Sequence, residues 1–305
     1  DRIIYYIKGD DTITSFHISY INILLLSKNN VIIGSIYSNY PEVAWWLSNC
    51  KSKLIILGCG SSMGVPRADG FWGSCDKNNK KNYRTRCSVL ISKGNNNILI
   101  DTSPDLRFQL LKNKIKNITS VLYSHMHADQ THGINDLRVF FLKKKKKINI
   151  YADKMTLGYL KKNFSYYFKN GLGYPAILKA NKLKNDFSLG FNNELITFKS
   201  IKVKHGKINS IGYIFNNSAY ISDCNKLSES NIIKLKNLKY FIIDCLQFKP
   251  HPSHFSFNEV LSILNEIKPK QTILTNLHSD LDYNILLQKV PINIKPAFDG
   301  LKIQL

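Results

Sequence analysis

The segment Ser124-His125-Met126-His127-Ala128-Asp129-Gln130-Thr131-His132-Gly133 concentrates side chains that can bind a cation. In extended chain, residues two apart point the same way, so His125, His127 and Asp129 converge on one point. Two imidazoles and a carboxylate on one side of a loop suit a borderline divalent ion such as zinc. The other histidines, His17, His205, His251, His254 and His278, are dispersed along the chain. His254 lies in Lys249-Pro250-His251-Pro252-Ser253-His254-Phe255-Ser256, a loop ahead of a helix where a protonated imidazole could meet a phosphate. His251 reads as loop surface, and His17 as an ordinary surface or core residue. The glycine loop Gly58-Cys59-Gly60-Ser61-Ser62-Met63-Gly64 is not a dinucleotide fingerprint, because Met63 and Pro66 break the pattern, and it reads as a tight turn beside a cleft. In the long loop from Trp72 to Cys87, Arg84 and Arg86 serve either a phosphate or the loop itself.

Elements must position these groups. The β-rich run Ser120–Ser124 precedes the histidine cluster, and Ile134, Leu137, Phe140 and Phe141 follow it at helical spacing. A buried strand is expected at Leu54–Leu57, a hairpin from Ser88–Ser92 and Asn97–Asp101, and a helix from Pro104 through Leu111. Further strands are expected at Leu195–Lys199, Ile201–His205, Ile211–Phe215, Ala219–Ser222, Phe241–Asp244 and Thr272–Thr275. Ser228–Leu235 and Ser256–Ile267 read as helices. Strands with helices between and after them predict an α/β sandwich, two sheets packed face to face under helices. Residues 53–305 form one domain in this reading. Residues 1–52 are an N-terminal extension of unknown role, with a strand pair at Ile18–Leu26 and Val31–Ile36.

Composition bounds the function classes. At 305 residues and 44% hydrophobic, the chain buries a real core, so wholesale disorder is excluded. Apolar runs such as Ile21–Leu26 fall well short of the roughly 18 residues of a membrane span. The six cysteines contain no CxxC, and no leader pattern opens the chain, so a cytoplasmic protein is expected. A net charge of +22 invites a polyanion partner. However, only six of the 43 basic residues are arginine, and the run Lys143–Lys147 suits a solvated helix end. The lysine bias favours compositional drift over a selected nucleic-acid surface.

A family resemblance adds to this reading. The cluster is similar to the HxHxDH signature of the metallo-β-lactamase superfamily, whose fold is an αββα sandwich of two mixed sheets covered by helices. Leu57-Gly58-Cys59-Gly60-Ser61-Ser62, Asp101-Thr102-Ser103-Pro104-Asp105-Leu106-Arg107, Thr131-His132-Gly133-Ile134-Asn135-Asp136-Leu137-Arg138 and Pro252-Ser253-His254-Phe255-Ser256 resemble the branch containing phosphoribosyl 1,2-cyclic phosphate phosphodiesterase. The resemblance implies metal ligands His125, His127, Asp129, His205, Asp223 and His278. His205 would complete the first site, Asp223 would bridge, and His278 would close the second. Asp101 would support the metal loop, and His254 would be the general acid, oriented by Asp244.

Two departures matter. Gln130 stands where the family has histidine, so one tight and one weaker metal site are expected, with zinc favoured, manganese as the alternative, and Gln130 or His132 assisting the weaker one. Only Cys75 occupies the loop that holds a structural zinc in the phosphodiesterase, so that zinc is not expected here. The implied activity is a metal-dependent phosphodiesterase. It cleaves a small cyclic or diester phosphate by metal-activated hydroxide, with Asp129 and His254 as catalytic residues. The alternatives are an RNA 3′-processing nuclease and a non-catalytic nucleic-acid-binding protein with a degraded site. The oligomeric state is open, with a dimer as a candidate.

Overall fold

The alternation of apolar residues along the strands explains the layers. The computed structural model describes residues 52–171, 173–191 and 194–305. The strand pair expected at 18–26 and 31–36, with His17, lies outside them.

Among the described residues, two seven-stranded mixed sheets form. From edge to edge, the first contains β14 (Lys302–Gln304), β1 (Lys53–Gly58), β2 (Ser88–Lys93), β3 (Asn96–Ile100), β4 (Ser120–Leu122), β5 (Ile148–Ala152) and β6 (Leu178–Lys182). The second contains β13 (Ile294–Pro296), β12 (Gln271–Thr275), β11 (Tyr240–Asp244), β10 (Ser218–Ile221), β9 (Ile208–Phe215), β8 (Ile196–His205) and β7 (Asp186–Leu189). Strands β3 to β6 are mutually parallel, as are β10 to β13.

Ile98 and Ile100 of β3 face the second sheet, packing with Phe198, Tyr213 and Ile242, while Leu99 between them turns outward to the helices. The outer layers are supplied on one side by α1 (Leu106–Lys112), α3 (Arg138–Lys144) and α4 (Lys154–Asn163), and on the other by α5 (Glu229–Leu235) and α6 (Phe257–Ile267). The one-turn helix α2 (Ala128–Thr131) carries Asp129 and Gln130 immediately after His127, and α7 (Tyr283–Lys289) packs near β13. Helix α6 buries Phe257, Val260, Leu264 and Ile267, an i, i+3, i+7, i+10 stripe, and Glu259 accepts from the Ser256 amide at its start (2.8 Å). No helix among the described residues is long and apolar enough to cross a membrane.

Two expectations need correction. The strands expected at 195–199 and 201–205 are one strand, β8. Ile196 and Phe198 face the space between the sheets, whereas Ile201 and Val203 face the helices, so the buried face changes at Ser200. That change reads as a break in sequence although the backbone continues. The helix expected from Pro104 begins at Leu106, with Asp105 before it.

Candidate metal centre

The C-terminal ends of parallel strands deliver most of the side chains of interest, and the antiparallel strand β8 delivers His205 at its end. After β4 the chain turns through Ser124 into His125. Asp101, just beyond β3, is buried with φ +63 and receives the Ser124 amide and hydroxyl, both at 2.7 Å. Since Ser124 Oγ donates to Asp101, it accepts from His125 Nδ1 at 3.0 Å, which turns the Nε2 lone pair inward. His205, at the end of β8, donates Nδ1–H to the carbonyl of Ser253 at 2.7 Å and likewise presents Nε2. Gly206 makes this approach practicable: its φ is +59, and a Cβ there would sit 2.9 Å from the Ser253 Cβ.

His125 Nε2 and His205 Nε2 lie 3.0 and 3.2 Å from His127 Nδ1. Ligand atoms at about 2.05 Å on a tetrahedral zinc are roughly 3.3 Å apart, so this triangle has the size of a metal face. Imidazole lone pairs pointed at one another repel unless a cation lies between them, and the donor set therefore fits a divalent metal. Burial first, then the neighbouring His205 and His127, push His125 down to about 3, against the pull of Asp223, so it is neutral and ligand-ready. Burial and His205 lower His127 as well.

A cleft of about 320 Å³ opens over this cluster. Asp223, just past β10, is buried on one wall, and its donor atom lies within 4.8 Å of those of His205 and His254. Burial pushes the Asp223 carboxyl up, but His125, His254 and His205 outweigh it and hold it below its usual range. Asp129 moves the other way: burial and Asp223 raise it to about 6. Gln130 is wholly buried and donates Nε2–H to Asp129 at 3.0 Å and to Asp223 at 3.3 Å.

Facing the histidine triangle, His254 Nδ1 contacts Asp244 at 2.7 Å, and the His254 and His205 rings lie 4.6 Å apart. Burial alone would lower His254; Asp244, followed by Asp223 and Asp129, reverses this and raises it to about 9. Asn276, buried with φ +61 just beyond β12, donates to the other Asp244 oxygen at 3.0 Å.

The structure thus brings His125, His127, His205, Asp223, Asp129, Gln130 and His254 to one cleft, with Asp101 and Asp244 behind them. His278 lines the same cleft, but its Nδ1 faces Asp280 at 3.2 Å, and it joins neither donor cluster. His132 must be corrected. It lies one turn past the loop, exposed, with Nε2 3.1 Å from Tyr159 and its ring against Phe164, so it faces away from the carboxylates. Arg84 serves the fold: it is buried and donates to the carbonyls of Leu281 (2.6 Å) and His278 (3.2 Å) and to Asn82 (3.1 Å). Arg86 pairs with Asp105 at 2.8 Å. Sequence reasoning passed over Asn276 and placed His251 on the surface, although His251 lines the cleft. The signal for Asn276 was its place immediately after a parallel strand in the second half of the chain.

The family model for the beta-lactamase superfamily domain matches residues 96–276. The chain belongs to the beta-lactamase superfamily. Within that superfamily, the fold is similar to a diphosphatase of the PhnP family, at 29% identity and TM-score 0.75, covering 84% of this chain and 97% of that one. This likeness supports the branch of the superfamily that the sequence motifs resemble. Zinc-bound PqqB from Methylobacterium extorquens (16% identity, TM-score 0.68, 83% of this chain and 100% of that one) shares the fold. So does the short form of human tRNase Z (16%, TM-score 0.60, 83% and 98%). Among curated proteins, an octanoyltransferase of Porphyromonas gingivalis is 29% identical over 256 residues, 82% of this chain. The chain spans about half the length of that relative, 51%.

Proposed function

We propose that this superfamily member is a metal-dependent phosphoric diester hydrolase, with zinc or manganese as the metal and a small phosphodiester as substrate. The observation that carries the reading is the Asp244–His254 pair, 2.7 Å apart and facing the three-histidine cluster across one cleft. His125, His127, His205 and Asp223 would hold the ion. A divalent ion there supplies a Lewis acid for a phosphoryl oxygen and acidifies water.

The chain's own groups carry the protons. Hydrolysis adds water across one P–O bond, giving a phosphomonoester and an alcohol. Asp129, raised yet ionised at neutral pH, takes a proton from the attacking water. His254 holds a proton because Asp244 sits on its Nδ1, and it delivers Nε2–H to the departing alkoxide oxygen. Asn276 fixes the far oxygen of Asp244 and so the plane of the imidazole. The cleft, at about 320 Å³, has the size of a small-molecule site.

Two esters with the same acyl-free phosphate half test the acid. His254→Ala is expected to slow hydrolysis of one with an alkoxide leaving group by about 10² to 10⁴. An ester that leaves as a stable phenolate needs little protonation and loses much less. Equal losses in kcat/KM on both esters would remove His254 from the role. The RNA-nuclease reading is favoured by one observation, the net charge of +22.

A further inference from the structure

The buried amide of Gln130 lies between two carboxylates. Its Nε2 donates to Asp129 at 3.0 Å and to Asp223 at 3.3 Å, and its Oε1 is buried with no partner among the described residues. Turning the amide over would set Oε1 against two carboxylate oxygens and leave both acids without a donor. An amide nitrogen has hydrogens and no lone pair to give a cation, so in this orientation Gln130 offers a metal nothing. A buried carbonyl without a partner carries an uncompensated desolvation cost. Hydrogen bonds to ionised acceptors are roughly twice as strong as neutral ones, and two of them hold the amide this way round.

The remaining neighbours agree. Asn276, the buried side chain entering the cleft after β12, also presents its NH₂, donating to Asp244 at 3.0 Å. His278 lies beside Asp280 with no hydrogen bond to its Nδ1 among the described residues and joins neither donor cluster, and His254 is committed through Nδ1 to Asp244. Among the described residues, the Gln130 amide lies against both Asp129 and Asp223, and His254, 4.0 Å from Asp223, is already paired with Asp244. Adjacent buried carboxylates repel unless something positive separates them, and either a cation or a hydrogen-bond donor can do so.

We propose that this centre binds a single metal ion, at His125, His127, His205 and Asp223, and that the Gln130 amide bridging Asp129 and Asp223 takes the place of a second ion. The proposal rests on the metal reading of the histidine cluster given above, and it replaces the weaker second site expected from sequence. Gln130 is then a positioning residue: it holds Asp129 in place as the proton acceptor without a metal of its own.

The test is metal counting on the full chain, independent of turnover. Apo-protein is titrated with zinc, and separately with manganese, by calorimetry, and dialysed samples are checked by elemental analysis. Wild type should take up about one equivalent per chain. Gln130→His adds an imidazole and Gln130→Glu a carboxylate facing the two acids, and at least one of them should take up about two. His127→Ala should lose the single wild-type ion. Wild type with two tightly held ions would overturn this proposal while leaving the histidine site intact. One ion in wild type and in both Gln130 variants, with unchanged circular dichroism, would also overturn it, since the amide would not be what excludes the second. Wild type binding no ion would instead overturn the metal reading itself, and this proposal with it.

Discussion

A histidine donates a proton to a leaving group only if something keeps that proton on it, and Asp244 does this for His254. Burial works against the charged imidazole, but the carboxylate 2.7 Å away wins and raises it to about 9. The sign follows directly. The protonated form is the useful one, so the rate should hold from about pH 6, where Asp129 ionises, up to about pH 9 and fall as pH rises through that value. Taken by itself, the raised His254 contributes stability that is fully present below its unfolded value of about 6.5 and is lost as pH rises through about 9, while Asp244, raised by burial to about 6, offsets part of it once ionised. Asp244→Asn removes the nearest counter-charge and leaves the burial, with Asp223 and Asp129 still raising the imidazole, so the alkaline limb of kcat/KM should move down from about pH 9 toward about 6.5. A limb that stays put in that variant would mean Asp244 does not set the proton. Much of this site was readable in sequence, because His125, His127 and Asp129 alternate in extended chain behind a β-rich run. The role of Gln130 was not. An amide can donate or accept, and the choice depends on Asp223, which is distant in sequence and adjacent in space.

At the scale of elements, most strands with a strong buried face were legible and edge strands were not, but the interior strand β5, buried at Ile148, Ile150 and Ala152, went unread. Strand β6, Leu-Lys-Ala-Asn-Lys, and β7, Asp-Phe-Ser-Leu, are mostly exposed or half-buried and carry little alternation. Strands β13 and β14 are three residues each, too short for periodicity to register. The loop from Trp72 to Cys87 was equally opaque, because its organising contact is the buried guanidinium of Arg84 reaching the turn at His278–Leu281. Cys75 joins in, its thiol donating to the Ser279 carbonyl at 3.3 Å. No cluster of three metal-ligating side chains forms around Cys75 among the described residues, and Arg84 pins the two loops together. Arg84→Met keeps the stem but strips donors from two backbone carbonyls, which should cost about 3 kcal/mol. Arg84→Lys should recover little, since an ammonium cannot span the same fork of acceptors. Denaturant midpoints for the two variants check this, and a wild-type midpoint in Arg84→Met would remove the pin.

Across the whole molecule, the question is whether the charge of +22 serves the cleft. The cleft wall contributes histidines, serines and carboxylates and no lysine or arginine among its lining residues. Basic side chains gather elsewhere: Arg107, Lys116, Arg138 and Lys143 rim a separate groove of about 670 Å³ between α1 and α3. A small diester in the cleft therefore meets few cations directly, and its kcat/KM should change little with salt. A strand of RNA reaching across to basic surface would behave differently, because each neutralised phosphate releases condensed counterions. Its affinity should fall with a log–log slope of roughly 0.7 per phosphate contact. Measuring both substrates between low and moderate salt separates the two readings. A nearly flat profile with the small ester as the better substrate supports the phosphodiesterase. A slope of several units with RNA as the better substrate would transfer the assignment to a nuclease, with the lysine-rich surface as its binding face.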